Sequence, residues 1–201
     1  MTKIILTRHG ITQWNIDKKY QGQSDTPLSK EGLEQAEKLA ESLKNEKIDA
    51  VYSSDLLRAQ KTAECIAGNH GLKVNTEPRL REIMFGEWEG LTFAQIDGKW
   101  PETFRDLFNH PDTITIPGGE SFQEVQKRAY TAFLDIIKKH PDETVVIVSH
   151  GGTIGTIFCS ILELNLKHIF SIKQNNASIN RIEYANDRAF ITLLNDTHHL
   201  E

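Results

Sequence analysis

Two apolar runs, far apart in this chain, each end in a histidine that is followed by glycine. The first run, residues 3–7, leads into Arg8 and His9, and the second, residues 144–149, leads into His150. Short runs of β-branched and aliphatic residues are typical of buried strands. Because open α/β sheets bind ligands at the carboxyl ends of their strands, we expect both imidazoles to face one small group. Beside an arginine, that group is predicted to be a phosphate.

Strand-like and helix-like segments alternate along the chain, with no linker, low-complexity tract or internal repeat. This alternation predicts a single α/β domain over residues 1–201, with a three-layer α/β/α architecture and a mostly parallel central sheet. Ser29 and residues 53–55 are expected to cap two helices, and residues 121–124 form a capping box that opens another. Two final strands joined by a turn at 186–187 predict a hairpin, which makes the sheet mixed.

The segment from about 83 to 119 is the least regular part of the chain, with several prolines and aromatic residues. We interpret it as an insertion of short helices that forms a lid over the ligand-binding edge of the sheet. Its aromatic side chains either pack the insertion down or line the site, and the two roles are compatible.

The composition excludes several classes of partner. The chain has 201 residues and a formal net charge of −5, whereas nucleic-acid sites need clustered lysines and arginines. No apolar stretch is long enough to span a bilayer. Cys65 and Cys159 lack metal-ligand or redox spacing and are most simply reduced thiols. We therefore expect a cytoplasmic protein, monomeric or homodimeric, with no nucleic-acid or membrane partner and no metal or other cofactor.

Two further charged residues occupy comparable places in the predicted topology. Arg58 lies in the first turn of the helix after the second strand, and Glu82 follows a short third strand at residues 73–76. The strand ends of one sheet lie side by side, so these groups can converge with His9 and His150. A helix N-terminus also favours an anion, which supports Arg58 as a phosphate ligand.

These residues fall within motifs that resemble the opening and the later blocks of the histidine phosphatase superfamily. That superfamily contains cofactor-dependent phosphoglycerate mutase and many phosphatases, so the resemblance implies a phosphoglycerate mutase-like fold. The matching segments, in order, are TRHG (7–10), WN (14–15), QGQSDTPLS (21–29), SSDLLRAQKTA (53–63), LRE (80–82), FGEWEG (85–90) and SHGG (149–152). Several motifs in the correct order are far more specific than any one alone.

The resemblance implies a role for each charged residue. His9 is expected to attack phosphorus and form a phosphohistidine, because imidazole is largely neutral at cytosolic pH. Arg8 and Arg58 are expected to hold the phosphoryl oxygens, and His150 is expected to be a protonated donor opposite His9. Glu82 is expected to protonate the leaving alkoxide and then activate water. An acid of this kind needs shielding from bulk water, so we expect Glu82 to be shielded.

Neutral donors are expected to complete the phosphate site. They are Asn15, Gln21 and the backbone amides near Gly22 and Gly151. With this much positive charge, the resemblance implies that no metal ion is required. The chain departs from the family at Ile11, where many members carry glutamate, so any hydrogen bond made by that glutamate is missing here.

The family contains both mutases and phosphatases, and the residues beside the acid favour a phosphatase. Family mutases resemble one another in placing arginine directly after the acid, tyrosine two residues further on, and an Arg-Arg pair in a longer insertion. This chain has Ile83 and Phe85 at the first two places and no Arg-Arg pair. The FGEWEG segment is instead similar to broad-specificity and ribazole-phosphate phosphatases. We therefore expect a phosphomonoesterase of small phosphate esters; the alternatives are phosphoglycerate mutase-type transfer and a catalytically inactive phospholigand-binding module.

Overall fold

The computed structural model describes residues 1–201, and its centre is a six-stranded mixed sheet. The strands are β1 (Thr2–Arg8), β2 (Ala50–Ser53), β3 (Val74–Thr76), β4 (Thr144–Ser149), β5 (Ile179–Ala185) and β6 (Arg188–Asp196). Their spatial order is β3-β2-β4-β1-β5-β6. The first four strands pair in parallel, and β5 and β6 add an antiparallel hairpin beside β1. The predicted mixed sheet and the edge position of the third strand are confirmed.

Helices cover both faces of the sheet and form the insertion. They are α1 (Gln13–Ile16), α2 (Lys30–Leu43), α3 (Leu57–Asn69), α4 (Phe93–Lys99), α5 (Pro101–Asn109), α6 (Phe122–Lys139) and α7 (Gly151–Ile161). Ser29 caps α2 through the Gly32 amide, and the capping box at Ser121 opens α6, both as predicted. None of these helices combines the length and the apolar character that crossing a membrane requires.

The apolar core lies in two layers on opposite faces of the sheet. Ile4 and Leu6 of β1 face α6 and α7, whereas Ile5 lies with side chains of α2 and α3. Successive strand residues point to opposite faces, so a strand that is covered on both sides must be apolar throughout. This requirement explains the continuous apolar runs in β1 and β4. Because these strands are packed on both faces, the histidines that follow them are held in fixed positions.

The predicted cap of α3 was wrong. The helix begins at Leu57, and residue 56 at its N-cap makes no side-chain hydrogen bond. Asp25, which is 32 residues away in sequence, accepts the Leu57 amide at 2.7 Å instead. Asp55 pairs with Arg81, and the Ser54 hydroxyl contacts His150, so both residues before the helix make contacts with distant parts of the chain. The local pattern could not show a cap that comes from a distant loop.

The insertion packs through its own aromatic cluster. Trp88 and Ile96 are fully buried there together with Phe122 at the start of α6. Phe85 and Phe93 instead line the cavity described below. Both roles proposed for the aromatic residues therefore occur, while the boundaries of the single domain and its lid stay a prediction.

Candidate active site

His9 and His150 lie side by side at the carboxyl ends of two neighbouring strands. β1 and β4 pair in parallel, with Arg8 opposite Ser149, so the residues that follow them emerge together. The two imidazole centroids are 5.0 Å apart, and both rings are buried, at 2% and 0% exposure. One small anion can therefore contact both rings, as the strand pattern predicted.

The local hydrogen bonds of His9 hold its ring in one orientation. Its Nδ1 lies 2.7 Å from the Gly10 carbonyl, which can only accept, so Nδ1 carries the proton. This tautomer leaves the lone pair on Nε2. Burial, followed by the positive charges of Arg58 and Arg8, lowers the pKa of His9 well below its usual value. The ring is therefore neutral, with the Nε2 lone pair available.

Two buried guanidiniums flank the histidines. Arg58 is only 1% exposed, and it donates to the carbonyls of Gly22 and Ser24 at 2.7 and 2.9 Å. Burial lowers the pKa of Arg58 to about 10, which still leaves it charged at neutral pH. Arg8 donates to the Gln174 carbonyl at 2.8 Å. Both arginine side chains line the cavity described below, which suits their charged guanidiniums to an anionic ligand.

The surroundings of His150 determine how readily its ring is protonated. Its Nε2 lies 2.9 Å from the Ser54 hydroxyl, and its Nδ1 is buried without a partner. The Ser54 oxygen accepts the Leu56 amide and its hydroxyl proton has no other acceptor, so we assign that proton to His150 Nε2, which places the imidazole proton on Nδ1. Burial and the charge of Arg58 lower the pKa of His150 well below its usual value. Without a bound anion these surroundings favour the neutral form, because burial penalises the charged form. The protonated state expected of His150 opposite His9 stays a prediction.

Glu82 is held at the N-terminus of α7. Its carboxylate accepts the amides of Gly152 and Thr153 at 3.2 and 3.0 Å and the amide of Ile83 at 3.1 Å. The side chain is partly buried and lines the same cavity as His9. The expected shielding from bulk water is met only in part, but the carboxyl is fixed in place rather than free in solvent.

The predicted neutral donors also surround this position. The amide oxygen of Asn15 accepts the Thr12 backbone amide at 3.1 Å, and that of Gln21 accepts the Thr12 and Thr26 hydroxyls at 2.8 and 2.7 Å, which directs both amide nitrogens away from these contacts. Gly22 has a φ of +52°, and a side chain there would collide with the Glu89 carboxylate. The backbone at Gly151 approaches the Arg8 guanidinium, since a Cβ there would lie 3.4 Å from its carbon.

These side chains line a cavity of about 280 Å³. Seven of the predicted residues line it: Arg8, His9, Asn15, Gln21, Gly22, Arg58 and Glu82. His150 and Gly151 are not among the lining residues. The His150 ring instead packs against the ring of His9. Lys18, Lys19 and Tyr20 also line the cavity, and the sequence interpretation missed them. They lie in a segment without apolar periodicity, and the only sequence feature nearby that indicated a site is the Gln21-Gly22 motif that follows them.

Glu89 belongs to the FGEWEG motif, and it holds the loop of residues 22–24 in place. Its carboxylate accepts the amides of Gln23, Ser24 and Phe85 at 2.9–3.1 Å and the Ser24 hydroxyl at 2.6 Å. The same loop supplies the carbonyls that position Arg58. Glu89 therefore connects the insertion to the guanidinium and is a positioning residue.

The Glu89→Gln variant is expected to be less stable by about 2 kcal/mol, because one carboxylate oxygen that accepts amide protons becomes an NH₂ group. Urea unfolding of the variant beside Glu87→Gln, an exposed change in the same segment, measures this difference. Equal stability of the two variants would show that the contacts to Glu89 are dispensable.

Fold and site together define an α/β protein with two adjacent, buried histidines at the strand ends of its sheet. The family model described as "Histidine phosphatase superfamily (branch 1)" matches residues 4–197, and the chain belongs to this family. The chain is 38% identical over 200 residues to Phosphoserine phosphatase 1 of Hydrogenobacter thermophilus, covering 100% of this chain and 95% of that protein.

Solved structures agree with this assignment. Bacillus stearothermophilus YhfR has a TM-score of 0.96 and 34% identity, with 100% of both chains covered. A phosphoserine phosphatase mutant from Entamoeba histolytica in complex with phosphoserine has a TM-score of 0.91 and 33% identity, again over 100% of both chains. The predicted family and its α/β fold are confirmed.

Proposed function

We propose that this protein is a phosphatase that hydrolyses small phosphate monoesters through a phosphohistidine at His9, without a metal ion. One observation carries the proposal. A neutral His9, with its Nε2 lone pair free, lies beside His150, and the guanidiniums of Arg8 and the buried Arg58 line the same cavity. Buried donors of this kind stabilise the charge that develops on a phosphoryl group.

The reaction follows from the positions of these groups. His9 Nε2 attacks phosphorus, the bond from phosphorus to the ester oxygen breaks, and Glu82 gives that oxygen its proton. Water then loses a proton to Glu82 and attacks the phosphohistidine, so the P–N bond breaks and inorganic phosphate leaves. Arg8 and Arg58 neutralise the phosphoryl oxygens in both steps.

The cavity and the relatives support a small substrate. A volume of about 280 Å³ admits a phosphate ester of a few carbon atoms and leaves little room for a folded protein segment. A relative is named a phosphoserine phosphatase, and a structural neighbour is in complex with phosphoserine. Phosphoserine is therefore the first natural ester that we propose to test.

A mutase-type transfer is less well supported by the structure. Ile83, at the place where family mutases carry arginine, is fully buried in the aromatic cluster of the insertion. It can neither contact a substrate carboxylate nor offer a charge. An inactive module is also disfavoured, because the nucleophile, the acid and both arginines lie together. The oligomeric state and the cytoplasmic location stay predictions.

The purified protein is expected to release phosphate from para-nitrophenyl phosphate and from phosphoserine in the presence of excess EDTA. The guanidiniums supply the charge that a metal ion would otherwise provide. Phosphate release with and without the chelator, before and after added Mg²⁺, measures this. Activity that appears only with added metal would contradict the metal-free mechanism, and no release from any ester would contradict the phosphatase.

A further inference from the structure

The cavity extends beyond the groups that hold phosphate. Lys18, Lys19 and Tyr20 form one wall of it, and Phe85 and Phe93 line it as well. The proposed reaction uses none of these side chains. A substrate whose phosphorus lies at His9 would place the rest of its structure among them.

Hydrogen bonds hold the backbone of Lys18 and Lys19 in one conformation. Lys18 has a φ of 56°, a conformation that is uncommon for a residue with a Cβ and that needs support from its surroundings. The Lys18 and Lys19 amides bond to carbonyls of α1 at 3.2 and 2.9 Å, and the Tyr20 amide bonds to the Leu91 carbonyl at 3.0 Å. This segment is therefore tied to both α1 and the insertion.

The charges of the cavity are unbalanced. Lys18 makes no ion pair, and the carboxylate nearest to Lys19 is Asp17, at 4.0 Å. The lining includes four cationic side chains, Arg8, Arg58, Lys18 and Lys19, against the single carboxylate of Glu82. The chain as a whole carries a net charge of −5, so this positive charge is local. The arginines account for a phosphate, and the lysines exceed what a phosphate alone requires.

The aromatic wall suits a short carbon chain between two charged ends. The rings of Tyr20 and Phe85 are 4.7 Å apart, and those of Tyr20 and Phe93 are 5.2 Å apart. Burial raises the pKa of Tyr20, so its hydroxyl stays neutral and adds no negative charge near the lysines. A cavity lined by both cationic and aromatic side chains fits a molecule with a short carbon skeleton and a second anionic group besides the phosphate.

We propose that Lys18 and Lys19 bind a carboxylate of the substrate and select phosphorylated carboxylic acids over uncharged phosphate esters. The inference rests on the proposed function, because it places the phosphate of the same molecule at His9. Lysine binds a carboxylate as a point charge without demanding one geometry, which suits a group at the open end of the cavity.

A matched pair of substrates tests the inference. 3-Phosphoglycerate and glycerol 3-phosphate both have three carbons, and only the former carries a carboxylate. The protein is expected to favour 3-phosphoglycerate in kcat/KM. In the double variant Lys18→Met, Lys19→Met this preference is expected to fall about tenfold, mainly through KM, because a charge-assisted contact is lost. Lys127→Met, an exposed change of the same charge on α6, should keep the preference, and Lys18→Arg, Lys19→Arg should restore most of it.

The outcomes separate this inference from the proposed function. An unchanged preference in the methionine double variant, or equal losses on both substrates, would overturn the carboxylate site while leaving the phosphatase intact. Binding is measured independently by thermal shift with the same two compounds in the His9→Ala background, which does not depend on turnover. A larger shift with 3-phosphoglycerate that disappears in the lysine variant supports the subsite even if hydrolysis is never observed, and equal shifts overturn it.

Discussion

The His9→Ala variant is expected to lose phosphatase activity by about a thousandfold or more on every ester, because no other group can form the covalent intermediate. His9 is the histidine whose Nδ1 proton is held by a carbonyl, so its Nε2 is the free nucleophile. The substitution removes the imidazole but leaves both guanidiniums in place, so it tests the nucleophile separately from the phosphate ligands. Phosphate release by the purified variant on para-nitrophenyl phosphate measures the loss.

Two controls make this result specific. His168→Ala, on an exposed residue outside the site, should keep full activity. The His9→Ala variant should still bind inorganic phosphate, because the guanidiniums of Arg8 and Arg58 still line the cavity. Full hydrolytic activity of His9→Ala would contradict the assignment of His9 as the nucleophile. The urea unfolding curve of the variant shows whether a loss of activity comes from unfolding instead.

The second large effect concerns the proton donor. Glu82→Gln is expected to slow the hydrolysis of alkyl phosphates such as phosphoserine by about a hundredfold or more, in the range typical for a lost general acid. Para-nitrophenolate leaves without help from an acid, so para-nitrophenyl phosphate should lose much less rate in its first step. The ratio of kcat/KM values on the two substrates therefore measures proton donation to the leaving group.

The structure supplies the control for this test as well. The Gln side chain keeps one oxygen that can accept the Thr153 amide, so the variant is expected to stay folded. Glu87→Gln changes an exposed carboxylate in the following segment and should leave both rates unchanged. Equal losses on both substrates in Glu82→Gln would indicate that the carboxylate positions other groups and does not donate a proton.

The part of the site that lies on regular structure could be predicted from sequence. β1 and β4 are buried on both faces, so their apolar runs revealed the strands, and the pairing of parallel strand ends predicted that His9 and His150 meet. Arg58 was placed correctly because it follows a strand within the first turn of a helix. These positions follow from the local apolar pattern of strands and helices, so they could be predicted without knowing which distant segments are in contact.

The remaining features depend on contacts between segments that are distant in sequence. The amide of Leu57 is capped by Asp25, and the loop around Gly22 is held by Glu89. Lys18 lies in the left-handed region within an irregular segment, where no pattern indicates which way a side chain points. The lowered pKa of His150 follows from complete burial next to a guanidinium, a property of the folded molecule.

Rapid quenching of the protein during turnover of a labelled phosphate ester tests the central claim most directly. The account predicts an acid-labile, alkali-stable phosphoryl label on the peptide that contains His9, formed within the first turnover and absent from His9→Ala. A label on His150 instead, or steady hydrolysis with no protein-bound phosphoryl group at any time, would contradict it.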